Sequence, residues 1–191
     1  MAETTCEGEN FKGINFTIDK TEHEAFEDCS FDACTFAKAD LRQIRFTDCV
    51  FTECDLSMAN LIETGIRSCV FNNCKMMGLQ FQDCSTLLFS LKANDSNLSH
   101  SSFLGMNLKK LLCEACLLEE VDFTDANLEG ANFEACRFPR AIFDNTNLKK
   151  LDLSSCFEFD INPSKNEVYK ASFSKENVQG LLRKYDIRIK A

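Results

Sequence analysis

From Phe11 onward an apolar side chain recurs at every fifth residue: Phe11, Phe16, Phe26, Phe31, Phe36, Leu41, Phe46, Phe51, and so on to Met76 and Phe81, with Thr21 the one polar interruption. The register then slips by two residues and resumes with Leu98, Phe103 and Leu108, running on to Leu153. A second column, two residues ahead of the first, holds mostly small side chains, among them Cys49, Cys54 and Ala59, then Ala126, Ala131 and Cys136. Five residues per repeat is about 72° per residue, which fits neither a helix near 100° nor a strand at 180°. The pattern instead predicts a backbone that turns two positions inward and three outward in each repeat. A longer period of twenty lies over it. Cys29, Cys49 and Cys69 are twenty apart, as are Phe11, Phe31, Phe51 and Phe71. Four short segments per coil would stack like residues at roughly the 4.8 Å spacing of adjacent strands.

The repeat reads A(D/N)Lxx, as in "CDLSMANLIE", "ANLEGANFEA" and "TNLKKLDLSS". It resembles the pentapeptide-repeat family over roughly residues 9–157. The resemblance implies an all-β fold, a right-handed quadrilateral parallel β-helix of about seven coils, with four pentapeptides to a coil. Residues 1–157 are expected to form this solenoid, with a bulge or short loop at the register break near 84–97. Residues 158–191 are expected to cap it. There Ser174 suits a helix N-cap, and Val178, Leu181, Leu182 and Tyr185 follow at helical spacing. This predicts an amphipathic α-helix over about 174–185, then a short strand in "DIRIK". The cap is also the place where a homodimer would join.

Twelve cysteines in 191 residues could be a disulfide framework, a metal site or packing. Ten occupy the small inward column, Cys6 and Cys113 occupy the large one, and none points outward. They read as small core side chains. The one C-x-x-C, "CEAC" at Cys113 and Cys116, has no second pair and no nearby His, so no metal is expected. Fourteen of the eighteen phenylalanines fall in the large column and read as a stacked spine. The N-terminal stretch lacks a signal-peptide pattern, and no apolar run approaches the roughly 18 residues that span a bilayer. A cytoplasmic location with reduced thiols follows as the expectation. His23 and His100 are the only histidines, and neither belongs to a Ser/His/Asp or Cys/His constellation. Without a glycine-rich phosphate loop either, the chain is expected to be no enzyme and to hold no cofactor.

Charge sharpens this. Residues 1–60 hold 13 acidic and 5 basic side chains, whereas residues 131–191 hold 8 and 11. The acidic flank comprises Glu22, Glu24, Glu27, Asp28, Asp32, Asp40, Asp48, Glu53 and Asp55. Carboxylates at fixed pitch on a narrow rod imitate the phosphates of duplex DNA and would be steered to a basic DNA-binding surface. Within the family, the overall size, "CDLSMAN" (54–60) and the "DINP" segment (160–163) resemble the Qnr and MfpA quinolone-resistance proteins and the microcin B17 immunity protein. That resemblance implies a homodimer joined at the C-terminal ends. It also implies a non-catalytic DNA mimic that binds DNA gyrase or topoisomerase IV and guards it from quinolone-type drugs or peptide toxins, with no direct contact to nucleic acid or membrane. The alternative is a general scaffold or interaction module with an unrelated partner. This chain departs from Qnr proteins in having room for only a short loop, and in gathering its acidity in the N-terminal third.

Overall fold

The computed structural model describes residues 4–18 and 23–188. Eleven strands of three or four residues are strung along the chain: β1 Thr5–Glu7, β2 Asn10–Lys12, β3 Ala25–Glu27, β4 Ser30–Asp32, β5 Arg45–Thr47, β6 Val50–Thr52, β7 Gly65–Arg67, β8 Cys69–Asn72, β9 Leu91–Asn94, β10 Leu111–Glu114 and β11 Asn132–Glu134. All pair in parallel. β1, β3, β5 and β7 make the first face of a four-sided solenoid, and β2, β4, β6, β8, β9, β10 and β11 make the second. Single bridges make the other two. Asn15, Thr35, Asp55, Lys75, Asn97, Leu117, Arg137 and Phe157 climb the third face, and Gln80, Ser102, Asp122 and Ile142 the fourth. Regular strand pairing spans six turns, from β2 to β11, slightly fewer than the seven coils expected. Beyond β11 the ladder continues only as isolated bridges.

The pairing offset is twenty residues until β8, where Phe71 pairs with Ala93. The two extra residues are absorbed between Ser85, whose N–H donates to Thr64, and Ser90, whose N–H donates to Ile66. The resulting loop leaves Leu87 and Leu88 64% and 60% exposed while Phe89 turns into the core. It interrupts the first face alone, which resumes above it as the bridges Asn107, Asn127, Asn147 and Glu167.

Most corners use a residue with positive φ, which twenty-three non-glycine residues among the described residues adopt, spaced five apart over most of the chain, among them Asp28, Ala33, Lys38, Gln43, Asp48 and Glu53. Each costs about 1–2 kcal/mol, which ladder and core must offset. The core is the two inward columns. Phe11, Phe31, Phe51 and Phe71 stack with centroids 5.0, 4.7 and 4.6 Å apart, and rings of adjoining faces meet edge-on, as Phe31 and Phe46 do at 6.0 Å.

The corners are of two kinds, and the sequence chooses between them. At most positions where the outward residue before the central one is Asn or Asp, its side chain accepts the N–H two residues on, whereas Asn10 and Asn132 lie in strands β2 and β11. Asp55 takes that of Ser57 at 2.9 Å, and Asn127 that of Glu129 at 3.1 Å. The backbone then closes a turn, as when Ala59 N–H donates to Leu56. This is the physical reason for the A(D/N)L pattern: the short side chain forms an Asx-type turn, and only a small residue fits beside it. Where the corner stays open, the next coil supplies a thiol. Cys49 Sγ donates to the Phe26 carbonyl at 3.4 Å, Cys54 to Phe31 at 3.3 Å and Cys136 to Cys113 at 3.3 Å. Thr64 takes the same column position with a hydroxyl, donating to Leu41 at 2.7 Å.

The C-terminal cap departs from the expected α-helix over 174–185. Turns lead instead into two short 3-10 segments, Val178–Leu181 and Arg183–Tyr185. The cause is tertiary. Asn177 is buried and spends its side chain on the open end of the solenoid, donating to the carbonyls of Leu153, Cys156 and Ser154 and accepting the N–H of Ser174. Gly180 lies so close to Phe159 that a Cβ would meet the ring at 2.5 Å. Glycine is also a weak helix former. Asp186 then takes a left-handed φ of 49° and ends the segment. Residues 186–188 form no strand, and the rest of the expected strand, 189–190, lies outside the described residues.

Candidate interaction surface

The nine acidic positions do not fall on one face. Glu22 lies outside the described residues. Glu24 leads into the first face, its N–H bonded to Thr4. Glu27, Asp28 and Asp48 share the edge between first and second faces, where the pairing of β3 with β5 stacks Asp28 beneath Asp48. Asp32 and Glu53 lie along the next edge. Asp55 is on the third face and Asp40 on the fourth. Three are occupied: Asp32 by Lys12 at 2.9 Å, Asp40 by a bidentate Arg42 with both contacts at 2.7 Å, and Asp55 by its turn. Glu24, Glu27, Asp28, Asp48 and Glu53 enter no ion pair among the described residues. At the cap, Val178 and Tyr185 are exposed, Leu182 is half-buried, and Leu181 packs against the core. Lys184 ties this cap down by donating to Asn162 at 2.6 Å and Ser164 at 2.9 Å.

The turns after the loop behave differently. There charges one coil apart are paired: Arg140 with Glu119 and with Glu120 at 2.7 Å, Lys150 with Glu129 at 2.7 Å, Arg137 with Glu158 at 2.9 Å, Lys149 with Glu167 at 2.5 Å, and Lys165 with Asp144 at 3.1 Å. The hydrogen bond from Arg140 holds Glu120 below the ordinary carboxylate range, and that from Lys150 does the same for Glu129. Apart from Lys149 and Glu167, eighteen residues apart, this ladder was readable as opposite charges twenty or twenty-one residues apart, a signal that a search for acidic clusters passes over.

The histidines are engaged with neighbours. His23 packs edge-on to Phe26 at 5.8 Å, and His100 lies 3.2 Å from Glu120. All twelve cysteines are buried and unbridged. Burial pushes the Cys84 thiol up to about 12 and that of Cys6 up to about 11, away from the thiolate that reacts or binds metal. Among the described residues no cluster of His, Cys, Asp and Glu is arranged to hold a metal ion, and no helix is long and apolar enough to cross a membrane.

Two models of one family match this chain. The pentapeptide repeat region model covers residues 24–95, and the pentapeptide repeats model, eight copies, covers 116–156. Together with the four-sided solenoid, these place the chain in the pentapeptide-repeat family. Among solved structures it is similar to two trypsin-treated variants of QnrB1, a plasmid-mediated fluoroquinolone resistance protein. One aligns with a TM-score of 0.61 at 19% identity and the other with 0.57 at 20%, each over 98% of both chains. No curated protein matches the sequence.

Proposed function

We propose that this protein is a non-catalytic interaction protein that binds a type II topoisomerase, DNA gyrase or topoisomerase IV, as a DNA mimic and shields it from quinolone-type drugs or peptide toxins. The observation that carries this reading is the set of unpaired carboxylates in the first turns. Glu27, Asp28 and Asp48 stand exposed on one edge of a rod at a pitch of roughly 4.8 Å per coil, with Glu53 on the next edge. A basic DNA-binding saddle would gain on-rate from such a field and lose it as salt rises. The likeness of the whole chain to QnrB1 is in keeping with this reading. A general scaffold with another partner is the second reading, favoured by the scatter of Asp32, Asp40 and Asp55 over other faces and their use in local contacts.

Supercoiling by gyrase, held at a fixed inhibitory dose of fluoroquinolone and titrated with the protein, separates the two. Recovery of supercoiling at low protein, abolished by Glu27→Lys/Asp28→Lys/Asp48→Lys, is the expected result. No recovery at any concentration would remove topoisomerase protection and leave the scaffold.

A further inference from the structure

The edge between the first and second faces runs the length of the solenoid, and its charge reverses at the loop. Below the loop its outward residues are Glu7 and Gly8, Glu27 and Asp28, Thr47 and Asp48, then Arg67 and Ser68. Above it they are Lys109 and Lys110, Glu129 and Gly130, Lys149 and Lys150, then Tyr169 and Lys170. The order follows from the parallel register, in which Cys69 pairs with Leu91 and Leu91 with Leu111. Four rungs lie on either side, so the exposed Leu87–Leu88 tip stands at the midpoint of an edge about 38 Å long at the spacing of adjacent strands. One half carries four carboxylates against Arg67 and the neighbouring Arg45, the other five ammonium groups against Glu129 and the neighbouring Glu167.

Such an edge is self-complementary under a two-fold axis through its centre, the condition for an isologous dimer. We propose that a second copy of this chain docks antiparallel along this edge, with Glu27 and Asp28 of each copy against Lys149 and Lys150 of the other. The same axis sets Glu7 beside Lys170 and brings the Leu87–Leu88 tips of both copies together at the centre, where apolar surface leaves water. A parallel arrangement would place acid on acid. Within one chain Lys149 and Lys150 pair with Glu167 and Glu129 at exposed positions. Such pairs contribute little, so exchanging those partners across the interface is cheap. Arg67 facing Lys109 and Lys110, and Asp48 facing Glu129, oppose the contact, and the central leucines offset them. Exposed charge pairs carry most of the contact, so association is weak and salt-dependent. This inference goes beyond topoisomerase binding: the second copy and a topoisomerase are alternative occupants of the same carboxylates, and its test contains no topoisomerase.

Sedimentation velocity of the full chain over a range of concentration and salt provides that test. The expected result is a concentration-dependent dimer that dissociates as ionic strength rises. Glu27→Lys/Asp28→Lys and, separately, Lys149→Glu/Lys150→Glu each weaken it at least tenfold. An equimolar mixture of the two variants restores it, because only the mixed pair matches charge at both contacts. Leu87→Asp/Leu88→Asp weakens association without affecting that rescue logic. A monomer at all salts overturns the proposal. So does a mixture that stays monomeric, or a dimer untouched by either reversal but broken by Val178→Asp/Tyr185→Asp at the C-terminal end.

Discussion

The turns below the Leu87–Leu88 loop and those above it share one geometry but are built from different chemistry. Below, the first face carries Thr5, Ala25, Arg45 and Gly65 as its leading outward residues, none able to close an Asx turn, and it forms true strands. Above, Asn107, Asn127 and Asn147 hold those places, and the same face shrinks to single bridges. Asn127 and Asn147 accept the N–H of Glu129 and Lys149. The lower turns therefore have more open corners and more thiols, Cys29 and Cys49 answering the first face where the upper turns have Leu111, Ala131 and Leu151. Their cores differ too. Below, Phe stacks fill three faces, with Phe16 and Phe36 at 4.4 Å and Phe26 and Phe46 at 5.4 Å beside the Phe11–Phe71 column. Above, one stack, Phe81, Phe103, Phe123 and Phe143, runs beside columns of leucine such as Leu108, Leu128 and Leu148. One solenoid tolerates both solutions because each coil bonds only to its neighbours.

The largest test of this contrast is in the core. Phe51 is 1% exposed and stacked between two rings, and Leu128 is fully buried among aliphatic neighbours. Phe51→Ala should cost about 4 kcal/mol and Leu128→Ala about 3 kcal/mol, the lost burial and residual cavity being larger for the ring. Urea unfolding followed by circular dichroism measures both. Equal losses would mean that the aromatic spine contributes less than its greater volume predicts.

The five-residue and twenty-residue periods, the inward cysteines and the position of the register break were all legible, because each is a direct consequence of stacking like over like. The corner type was partly written in the chain, as Asn or Asp at 55, 60, 127 and 147 against Thr, Ala, Arg and Gly at 5, 25, 45 and 65, while Asn10 and Asn132 lie in strands all the same. Reading it requires knowing that the short polar side chain competes with the ladder for a backbone N–H. What periodicity could not supply was the cap. Val178, Leu181, Leu182 and Tyr185 have helical spacing, yet Asn177 and Gly180 are committed to Leu153, Cys156 and Phe159, residues more than twenty positions away. Tertiary contacts overrode local preference there. The acidic flank was visible as composition, but whether a carboxylate is free depends on what stands one coil away, as Lys12 beside Asp32 shows.

A smaller effect isolates the thiol. Cys49 donates to Phe26 at an open corner. Cys84 faces Leu61, whose carbonyl already accepts the N–H of Thr64, and no hydrogen bond of its sulfur is formed among the described residues. Both alanine variants delete the same buried sulfur. Cys49→Ala should therefore exceed Cys84→Ala by about 0.5–1 kcal/mol, the net worth of one hydrogen bond. Cys49→Ser should recover most of that difference, since Thr64, Ser101 and Thr146 already place hydroxyls in this column at 2.7 to 2.9 Å from a carbonyl. Thermal unfolding of the three variants decides it. Identical losses at positions 49 and 84 would reduce the thiols to packing alone.

The smallest effect separates the two halves by pH. Glu120 and Glu129 are held below the ordinary carboxylate range by Arg140 and Lys150. A carboxylate whose folded pKa is depressed stabilises the fold above its unfolded value, near 4.3 for Glu, and that contribution disappears as pH falls through the folded value. The upper turns should therefore lose a little stability below about pH 4.3. Region-resolved hydrogen exchange, corrected for intrinsic rates, at neutral and acid pH reads the two halves in one sample. Protection should shift toward the lower turns on acidification, and Glu120→Gln should blunt the change in the upper ones. A shift in the opposite direction would show that the paired charges above the loop do not stabilise it.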